Sequence, residues 1–164
     1  MTRTEKAAQL RKELKAHGWT SRDISVRAKS CTYSSAIDVV VKRADIDIGK
    51  VKELAMEYES ISRCEYSGEI LSGGNTYVEV RRAYELAESM ADAIKPACIK
   101  ALKEAGAENN VVVEVDGTEF TLSVSRGNNR ITVWDKNDSP FFAGFLVDVE
   151  RDAGMVARAI VSKS

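Results

Sequence analysis

Hydrophobic residues near the start of the chain recur at the spacing of an α-helix. The positions are Ala7, Leu10 and Leu14, three or four residues apart. Thr2 and Glu5 have the spacing of a capping box, in which a hydroxyl and a carboxylate satisfy backbone amides at a helix start. Gly18 stands where a C-terminal cap belongs. We therefore predict a first helix over residues 3–17.

Two segments with strand-like alternation follow. Every second residue is nonpolar, which gives each segment one face suited to a core. These residues are Ile24, Val26 and Ala28 in the first segment and Ile37, Val39 and Val41 in the second. The polar link from Ser30 to Ser35 is short enough for a hairpin. A second helix is predicted after Asp45 and Asp47, whose carboxylates suit a helix N-terminus.

A further pair of strands is predicted before the middle of the chain. Tyr66–Leu71 and Thr76–Arg82 flank a link of Ser72, Gly73, Gly74 and Asn75. Glycine and asparagine readily adopt the positive φ of a tight turn. The pattern therefore predicts a second hairpin.

The second half begins with a long helical stripe over residues 84–105. Leu86, Met90, Ile94, Cys98 and Leu102 are spaced by four residues throughout. A proline at position 96 interrupts the hydrogen-bonding pattern, but the stripe stays in phase across it. We therefore predict one kinked helix that ends at the glycine at position 106.

A meander and a last helix complete the pattern. Three alternating strands are predicted at Val111–Val115, Glu119–Ser125 and Arg130–Asp135, and the Asp-Gly pair at 116–117 is a strong hairpin signal. The apolar segment Phe141–Val149 is predicted as a fourth strand, and acidic residues then open a helix that ends near Lys163.

These elements predict an α+β fold of antiparallel β-sheets packed by helices, in the order αββαββ, α, ββββ, α. Two halves are expected, residues 1–83 and 84–164, with the kinked helix as boundary or bridge. Packing of both halves into one compact domain is the alternative.

The first half resembles a known family. The helix carries Leu-Arg-Lys-Glu-Leu-Lys at 10–15, Ile-Ser-Val-Arg follows at 24–27, and Tyr-Ser-Ser-Ala-Ile-Asp-Val follows at 33–39. Ser-Gly-Glu at 67–69 and Gly-Gly-Asn-Thr-Tyr-Val at 73–78 continue the likeness. Over residues 7–82 the chain resembles the large polyvalent protein-associated domain of type twenty-nine. It departs from that pattern at Ser35 and Ala36, where the family has paired glycines, and it lacks the family's tryptophan on the second strand.

The resemblance implies the kind of genetic element that encodes the protein more than it implies an activity. The family occurs in proteins of phages and conjugative elements, and its biochemical role is not established. The resemblance therefore implies a mobile-element protein and transfers no catalytic residue.

The balance of charged residues and the number of cysteines argue against some classes of function and indicate a cellular compartment. The 164 residues include 24 Lys and Arg against 25 Asp and Glu, for a net charge of −1. That balance argues against a wholesale polyanion binder and against an acidic DNA mimic. Three scattered cysteines, with no signal peptide and no apolar run of membrane-spanning length, predict a cytoplasmic protein with no membrane partner.

The sequence contains no familiar catalytic or metal-binding constellation. A zinc site needs clustered ligands, whereas the chain has one histidine, His17, and no CxxC pair. We expect no metal, no cofactor and no catalytic residue. Paired carboxylates stay possible, because sequence does not reveal a raised pKa.

The most suggestive surface is basic. Cations on the predicted strands, with two tyrosines nearby, would form a patch suited to phosphates and bases if the strands are neighbours. The candidate residues are Arg27, Lys29, Tyr33, Lys42, Arg43, Tyr77, Arg81 and Arg82. Asp38, Glu65 and Glu79 occupy the same region and would reduce its charge. Contact with nucleic acid, contact with a protein and an ordinary solvated face are the alternatives.

Phe141, Phe142 and Phe145 form the most apolar cluster. It is either a buried strand or an interface, most simply that of a homodimer.

The function expected from these patterns is non-enzymatic. We expect a small accessory protein of a phage or mobile element that binds a macromolecule, with inhibition of a host nuclease system as one counter-defence form. A protein partner or a homodimer is favoured. The alternatives are a nucleic-acid-binding module that uses the basic strands and an enzyme of unrecognised type.

Overall fold

The structure is a computed structural model and describes residues 1–30, 34–105, 110–115, 117–125 and 127–163. The chain divides into two compact units, unit 1 (Met1–Ala83) and unit 2 (Tyr84–Ser164). The elements of unit 1 are α1 (Arg3–Ala16), β1 (Ile24–Ser30), β2 (Ser34–Val41), α2 (Ile48–Met56) and β3 (Asn75–Arg82). Those of unit 2 are α3 (Tyr84–Glu104), β4 (Asn110–Val115), β5 (Thr118–Ser125), β6 (Arg130–Trp134), β7 (Pro140–Phe145) and α4 (Val149–Lys163). The predicted α+β class is confirmed.

Local signals read from the sequence explain the first helix. The Thr2 hydroxyl accepts a hydrogen bond from the Glu5 amide, and the Glu5 carboxylate accepts one from the Thr2 amide, which completes the capping box. Ala7, Leu10 and Leu14 are buried. Asp47 is the N-cap of α2, and its side chain accepts hydrogen bonds from the amides of residues 49 and 50.

Unit 1 contains a three-stranded sheet in the order β1-β2-β3. β1 and β2 form the predicted hairpin pairing, with Val26 opposite Val39. β2 and β3 are parallel, with Val39 opposite Val80, so this sheet is mixed, whereas only antiparallel pairing was predicted. Parallel neighbours need a long crossover, and residues 42–74, which include α2, provide it. Both helices pack on one face of the sheet, where they share a core with Ile24, Val26, Ile37, Val39 and Val41.

The strand predicted at Tyr66–Leu71 is wrong, so unit 1 has the order αββαβ. The segment instead folds back as a turn, in which the Gly68 amide donates to the carbonyl of Cys64 and Gly68 has a φ of +69°. A single antiparallel bridge joins Arg63 to Ile70. Tyr66 is fully exposed. Because the segment offers no alternating buried face, nothing holds it in a sheet.

Unit 2 contains a four-stranded antiparallel meander in the order β4-β5-β6-β7. Its inner face packs with α3 and α4 around a core that includes Phe120, Leu122, Ile131, Val133 and Ile160. α3 runs without a break through Pro96, as the continuous stripe predicts. The turn residue predicted at position 116 and the helix end predicted at position 106 lie outside the described residues.

The last strand is shorter than predicted. β7 ends at Phe145, and α4 begins at Val149. Asp152, which is fully buried, accepts hydrogen bonds from the amides of Val147 (2.6 Å) and Asp148 (2.8 Å). This carboxylate satisfies amides at the helix start, so the chain leaves the sheet before the apolar run is finished.

Candidate binding surface on the mixed sheet

The two faces of the unit 1 sheet differ in chemistry. One face is the core side. The opposite face, which we call the outer face, is not covered by α1 or α2. Strand alternation assigns to the outer face Ser25, Arg27, Lys29, Ala36, Asp38, Val40, Tyr77, Glu79 and Arg81. Four of the sequence-predicted candidates, Arg27, Lys29, Tyr77 and Arg81, therefore lie on one surface.

Asp38 lies at the centre of the outer face. It is on the middle strand, directly opposite Arg27 on one side and Glu79 on the other. The Lys29 ammonium lies 2.8 Å from one of its carboxylate oxygens, and the Arg81 Nε lies 3.4 Å from the other. Asp38 is itself 4% exposed, whereas the side chains of Lys29 and Arg81 are about half exposed. The acid is thus buried beneath the two cations that neutralise it.

The balance of burial and charge at Asp38 favours its ionised form. Burial by itself would raise the pKa of Asp38, because a desolvated carboxylate is less stable. The hydrogen bond from Lys29 and the positive charges of Arg81 and Lys29 outweigh this effect and lower the pKa below its usual value. Asp38 is therefore a permanent negative charge at neutral pH.

The remaining outer-face candidates lie around this centre. Arg27 is exposed, and Tyr77 is half-buried next to Ala36 of β2. Glu79 lies 3.9 Å from Arg81, so a second carboxylate also approaches that guanidinium. Tyr33 lies outside the described residues.

Arg82 lies on the opposite face of the sheet from Arg27, Lys29 and Arg81. It follows Val78 and Val80 on the core side, is 8% exposed and donates a hydrogen bond to the carbonyl of Ile46. The period of two along β3 separates Arg81 from Arg82. Arg82 therefore supports the loop before α2 and does not contribute to the outer face.

Lys42 and Arg43 follow the end of β2 and interact with the turn before β1. The Lys42 ammonium donates to the carbonyl of Ser21, and the Arg43 guanidinium pairs with Asp23 and Asp45 at 3.2 and 2.5 Å. Hydrogen bonds from the Thr20 amide and hydroxyl, together with Arg43, lower the pKa of Asp23 to about 2. The charge of Arg43 is thus neutralised locally.

The outer face is consequently a mixed-charge surface. It carries three cations, Arg27, Lys29 and Arg81, and two carboxylates, Asp38 and Glu79. Two of the cations interact directly with the central carboxylate. The sequence pattern identified the cations, but it did not show that Asp38 lies between them.

The three phenylalanines of unit 2 lie in different environments. Phe142 is opposite the core residue Val133, and the ring of Phe141 packs edge to face against Phe120 at 5.8 Å. Phe145 is 66% exposed. Of the predicted interface cluster, only Phe145 is largely exposed.

An open polar groove lies at one end of unit 1. It has a volume of about 710 Å³ and lies between the start of α1 and the strand ends that carry Ser30, Ser35 and Asn75. Several of its polar groups have partners: Thr2 caps α1, the Ser35 hydroxyl lies 3.1 Å from that of Thr76, and the Asn75 side chain bonds to the Ser62 amide and the Leu71 carbonyl. The described residues that line the groove include no histidine, cysteine or carboxylate.

The described residues show no group of His, Cys, Asp and Glu side chains placed to hold a metal ion. Burial raises the pKa of the Cys98 thiol to about 11, so this thiol is protonated in the core. His17 stacks against Trp19 at the end of α1. Within the described part of the chain, no helix combines the length and the apolar character needed to cross a membrane.

Comparison of the chain with family models, with curated proteins and with solved structures gave no match. The resemblance of residues 7–82 to the large polyvalent protein-associated domain therefore contributes to a proposal and assigns no family.

Proposed function

We propose that the protein is a non-enzymatic accessory protein of a phage or mobile element that acts by binding another protein through the outer face of unit 1. The observation that carries this proposal is the position of Asp38, whose carboxylate is held by Lys29 and Arg81 at the centre of that face. Alternating charges of this kind favour a partner with a complementary pattern of charges and disfavour a uniform polyanion.

Electrostatics argue for a protein partner over a nucleic acid. Affinity for nucleic acid comes largely from cations that replace counterions on the phosphates. On the outer face, Lys29 and Arg81 are engaged by Asp38, and Glu79 lies within 4 Å of Arg81. A phosphate backbone would have to compete with these carboxylates and would meet their repulsion. A protein surface can instead supply an anion to Arg27 and a cation to Glu79.

The resemblance of the first half supports the biological setting. It favours a phage or conjugative element and hence action in the cytoplasm of a bacterial host. A small binding protein encoded by such an element suits counter-defence, and inhibition of a host nuclease system is the form that we propose.

The test is a comparison of captured proteins between matched variants. The full chain is tagged and expressed in a bacterial host, and co-purifying proteins are quantified by mass spectrometry. Arg27→Ala with Glu79→Ala removes two exposed outer-face charges that do not hold Asp38. The control, Arg22→Ala with Glu53→Ala, removes two exposed charges of unit 1 that lie off this face.

A protein captured by the wild type and by the control, but lost from the outer-face variant with an unchanged melting temperature, would support the proposal. Equal capture by all three chains would contradict it. The nucleic-acid alternative is tested in parallel by titrating a labelled single-stranded oligonucleotide at several salt concentrations. Binding that weakens steeply with salt and is lost with Arg27→Ala would favour that alternative.

A further inference from the structure

The unit 2 sheet also has a face that its helices do not cover. Alternation places the core residues Phe120, Leu122 and Val124 on the helix side. The opposite side, which we call the meander face, carries Asn110, Val112, Glu114, Glu119, Thr121, Ser123, Ser125, Arg130, Thr132, Trp134, Ala143 and Phe145. This surface belongs to unit 2, so it does not depend on the function proposed for unit 1.

The composition of the meander face is unusual for a solvated sheet surface. Val112 and Phe145 are 57% and 66% exposed, and Trp134 is half-buried on the same side. Serine and threonine occupy most positions between them. The outer face of unit 1, by contrast, has a charged residue at five of its nine positions. Interface cores are depleted in charge and enriched in aromatic residues, which is the pattern of the meander face.

The charges of the meander face lie at its two ends. Glu114 and Glu119 are direct cross-strand partners at one end. Like charges directly opposite each other on neighbouring strands are destabilising. Among the described residues, no lysine or arginine forms an ion pair with Glu114 or Glu119. The exposed Arg130 lies at the other end, between Ser125 and Phe145. Glu119 and Ser125 are six residues apart on β5, so the acids and the cation are separated by roughly 20 Å along the strands.

We propose that the meander face binds a second copy of this chain, face to face, about a two-fold axis that runs across the strands. Such an axis reverses the strand direction between the copies. It therefore brings the end that carries Glu114 and Glu119 in one copy against the end that carries Arg130 in the other, and forms the same contact again at the opposite end. Val112 and Trp134, which lie between the charged ends, and Phe145, which lies beside Arg130, become buried. The unbalanced Glu114 and Glu119 pair thereby gains a cation.

The area of the meander face sets the expected affinity of the dimer. Four strands about 4.8 Å apart and six residues long cover a flat area of roughly 400 Å². Stable interfaces bury about 800 Å² per partner. We therefore expect a reversible dimer with a dissociation constant on the order of micromolar or weaker.

The experiment is sedimentation velocity of the full chain over a wide concentration range. Wild type is expected to shift from monomer to dimer as concentration rises. Arg130→Glu places carboxylates on both sides of each end contact, and Glu119→Arg places a second guanidinium near each Arg130, so each variant alone is expected to dimerise at least about tenfold more weakly. Lys103→Glu, on α3 and therefore on the helix side of the sheet, is the charge-matched control and is expected to dimerise as wild type.

An equimolar mixture of the two face variants gives the decisive measurement. At one end of the mixed dimer, the carboxylate introduced by Arg130→Glu faces the guanidinium introduced by Glu119→Arg. At the other end, the unchanged Glu119 of one copy faces the unchanged Arg130 of the other, so both contacts are restored. Dimerisation of the mixture, with neither variant dimerising alone at that concentration, supports the proposal and shows that both variants are folded. A wild type that stays monomeric, face variants that dimerise as wild type, or a mixture that remains monomeric would each overturn it.

Discussion

The Lys29 ammonium lies 2.8 Å from the Asp38 carboxylate, on the outer face of the unit 1 sheet. Lys29 is opposite Ala36, so it reaches Asp38 along a diagonal between neighbouring strands. Arg81 is opposite Val40 and reaches Asp38 along the other diagonal, from the third strand. One carboxylate of the middle strand thus connects all three strands, and two of our predictions follow from it.

Replacing Asp38 by asparagine is expected to destabilise the protein at neutral pH. Charge-assisted hydrogen bonds and ion pairs with Lys29 and Arg81 are lost, at a cost of about 1–3 kcal/mol in the free energy of unfolding. Because its pKa is lowered in the folded state, Asp38 stabilises the fold above its ordinary pKa near 4, and this contribution disappears as the pH falls through its folded pKa. Urea unfolding of both chains between neutral and acidic pH measures the difference.

Asp45→Asn is the control for that experiment. Asp45 also pairs with an arginine, Arg43, but its side chain is 65% exposed. Exposed ion pairs contribute little to stability, so Asp45→Asn is expected to lower the free energy of unfolding much less than Asp38→Asn does. Equal stability of Asp38→Asn and wild type at neutral pH would contradict the central role assigned to Asp38.

The same carboxylate is expected to limit binding of polyanions. Asp38→Asn combined with Glu79→Gln leaves three cations and no acid on the outer face. We expect this double variant to bind single-stranded DNA at low salt several-fold more tightly than wild type, with a steeper dependence on salt. Fluorescence anisotropy measures both quantities. An unchanged affinity would mean that the outer face does not control access of phosphates.

Two phenylalanines of unit 2 are expected to respond very differently to truncation. Phe120 is among the largest fully buried side chains, and Phe120→Ala is expected to lower the free energy of unfolding by about 3–5 kcal/mol. Phe145 is 66% exposed, so Phe145→Ala is expected to change that free energy by less than about 0.5 kcal/mol when the protein is monomeric. Chemical denaturation at low protein concentration tests both. Similar losses for the two variants would contradict the assigned burial.

Pro96 is expected to weaken the helix that contains it. It lies inside α3 and is exposed, so its ring contributes little packing, while its missing amide leaves one helical hydrogen bond unformed. Pro96→Ala is therefore expected to raise the free energy of unfolding by about 1–3 kcal/mol. Thermal unfolding of both chains provides the measurement, and a lower melting temperature for the variant would show that the proline is required by its surroundings.

The thiols of Cys64 and Cys98 are expected to react at different rates. Hydrogen bonds from the Ser67 side chain and from the amides of Ser67 and Tyr66 lower the pKa of Cys64, which is partly exposed. Cys98 is buried, and its pKa is raised to about 11. In a Cys31→Ser background, alkylation at mildly alkaline pH is expected to modify Cys64 well before Cys98. Peptide mass spectrometry at timed intervals measures the two rates, and faster modification of Cys98 would contradict the prediction.

Periodicity predicted the elements that bury a regular face. α1, β1, β2, α3 and the first three strands of the meander all follow from nonpolar residues at periods of 3.6 or 2. It failed at Tyr66–Leu71, where the glycine-rich link suggested a hairpin but no buried face exists to hold a strand. It also gave no sign that β3 pairs with β2 in parallel, because pairing partners depend on the crossover and not on local pattern.

The candidate surface was only partly predictable for a related reason. Alternation along β3 separates Arg81 from Arg82, so the burial of Arg82 could have been read from its position after Val78 and Val80. The central position of Asp38 could not be predicted from the sequence, because it depends on which strands are its neighbours. The sequence likewise predicted only that Trp134 lies in a strand. The face of the sheet that Trp134 occupies follows from the order of the strands in the meander.

The parallel pairing of β2 and β3 also bears on how the chain acquires its structure. The crossover of residues 42–74 must be closed before β3 can join its sheet, whereas consecutive strands of the meander are joined by short turns. Distant pairings slow folding, because chain entropy is lost before the contacts that compensate for it are made. Unit 1 leaves the ribosome first, and within it β3 is the strand expected to be added last.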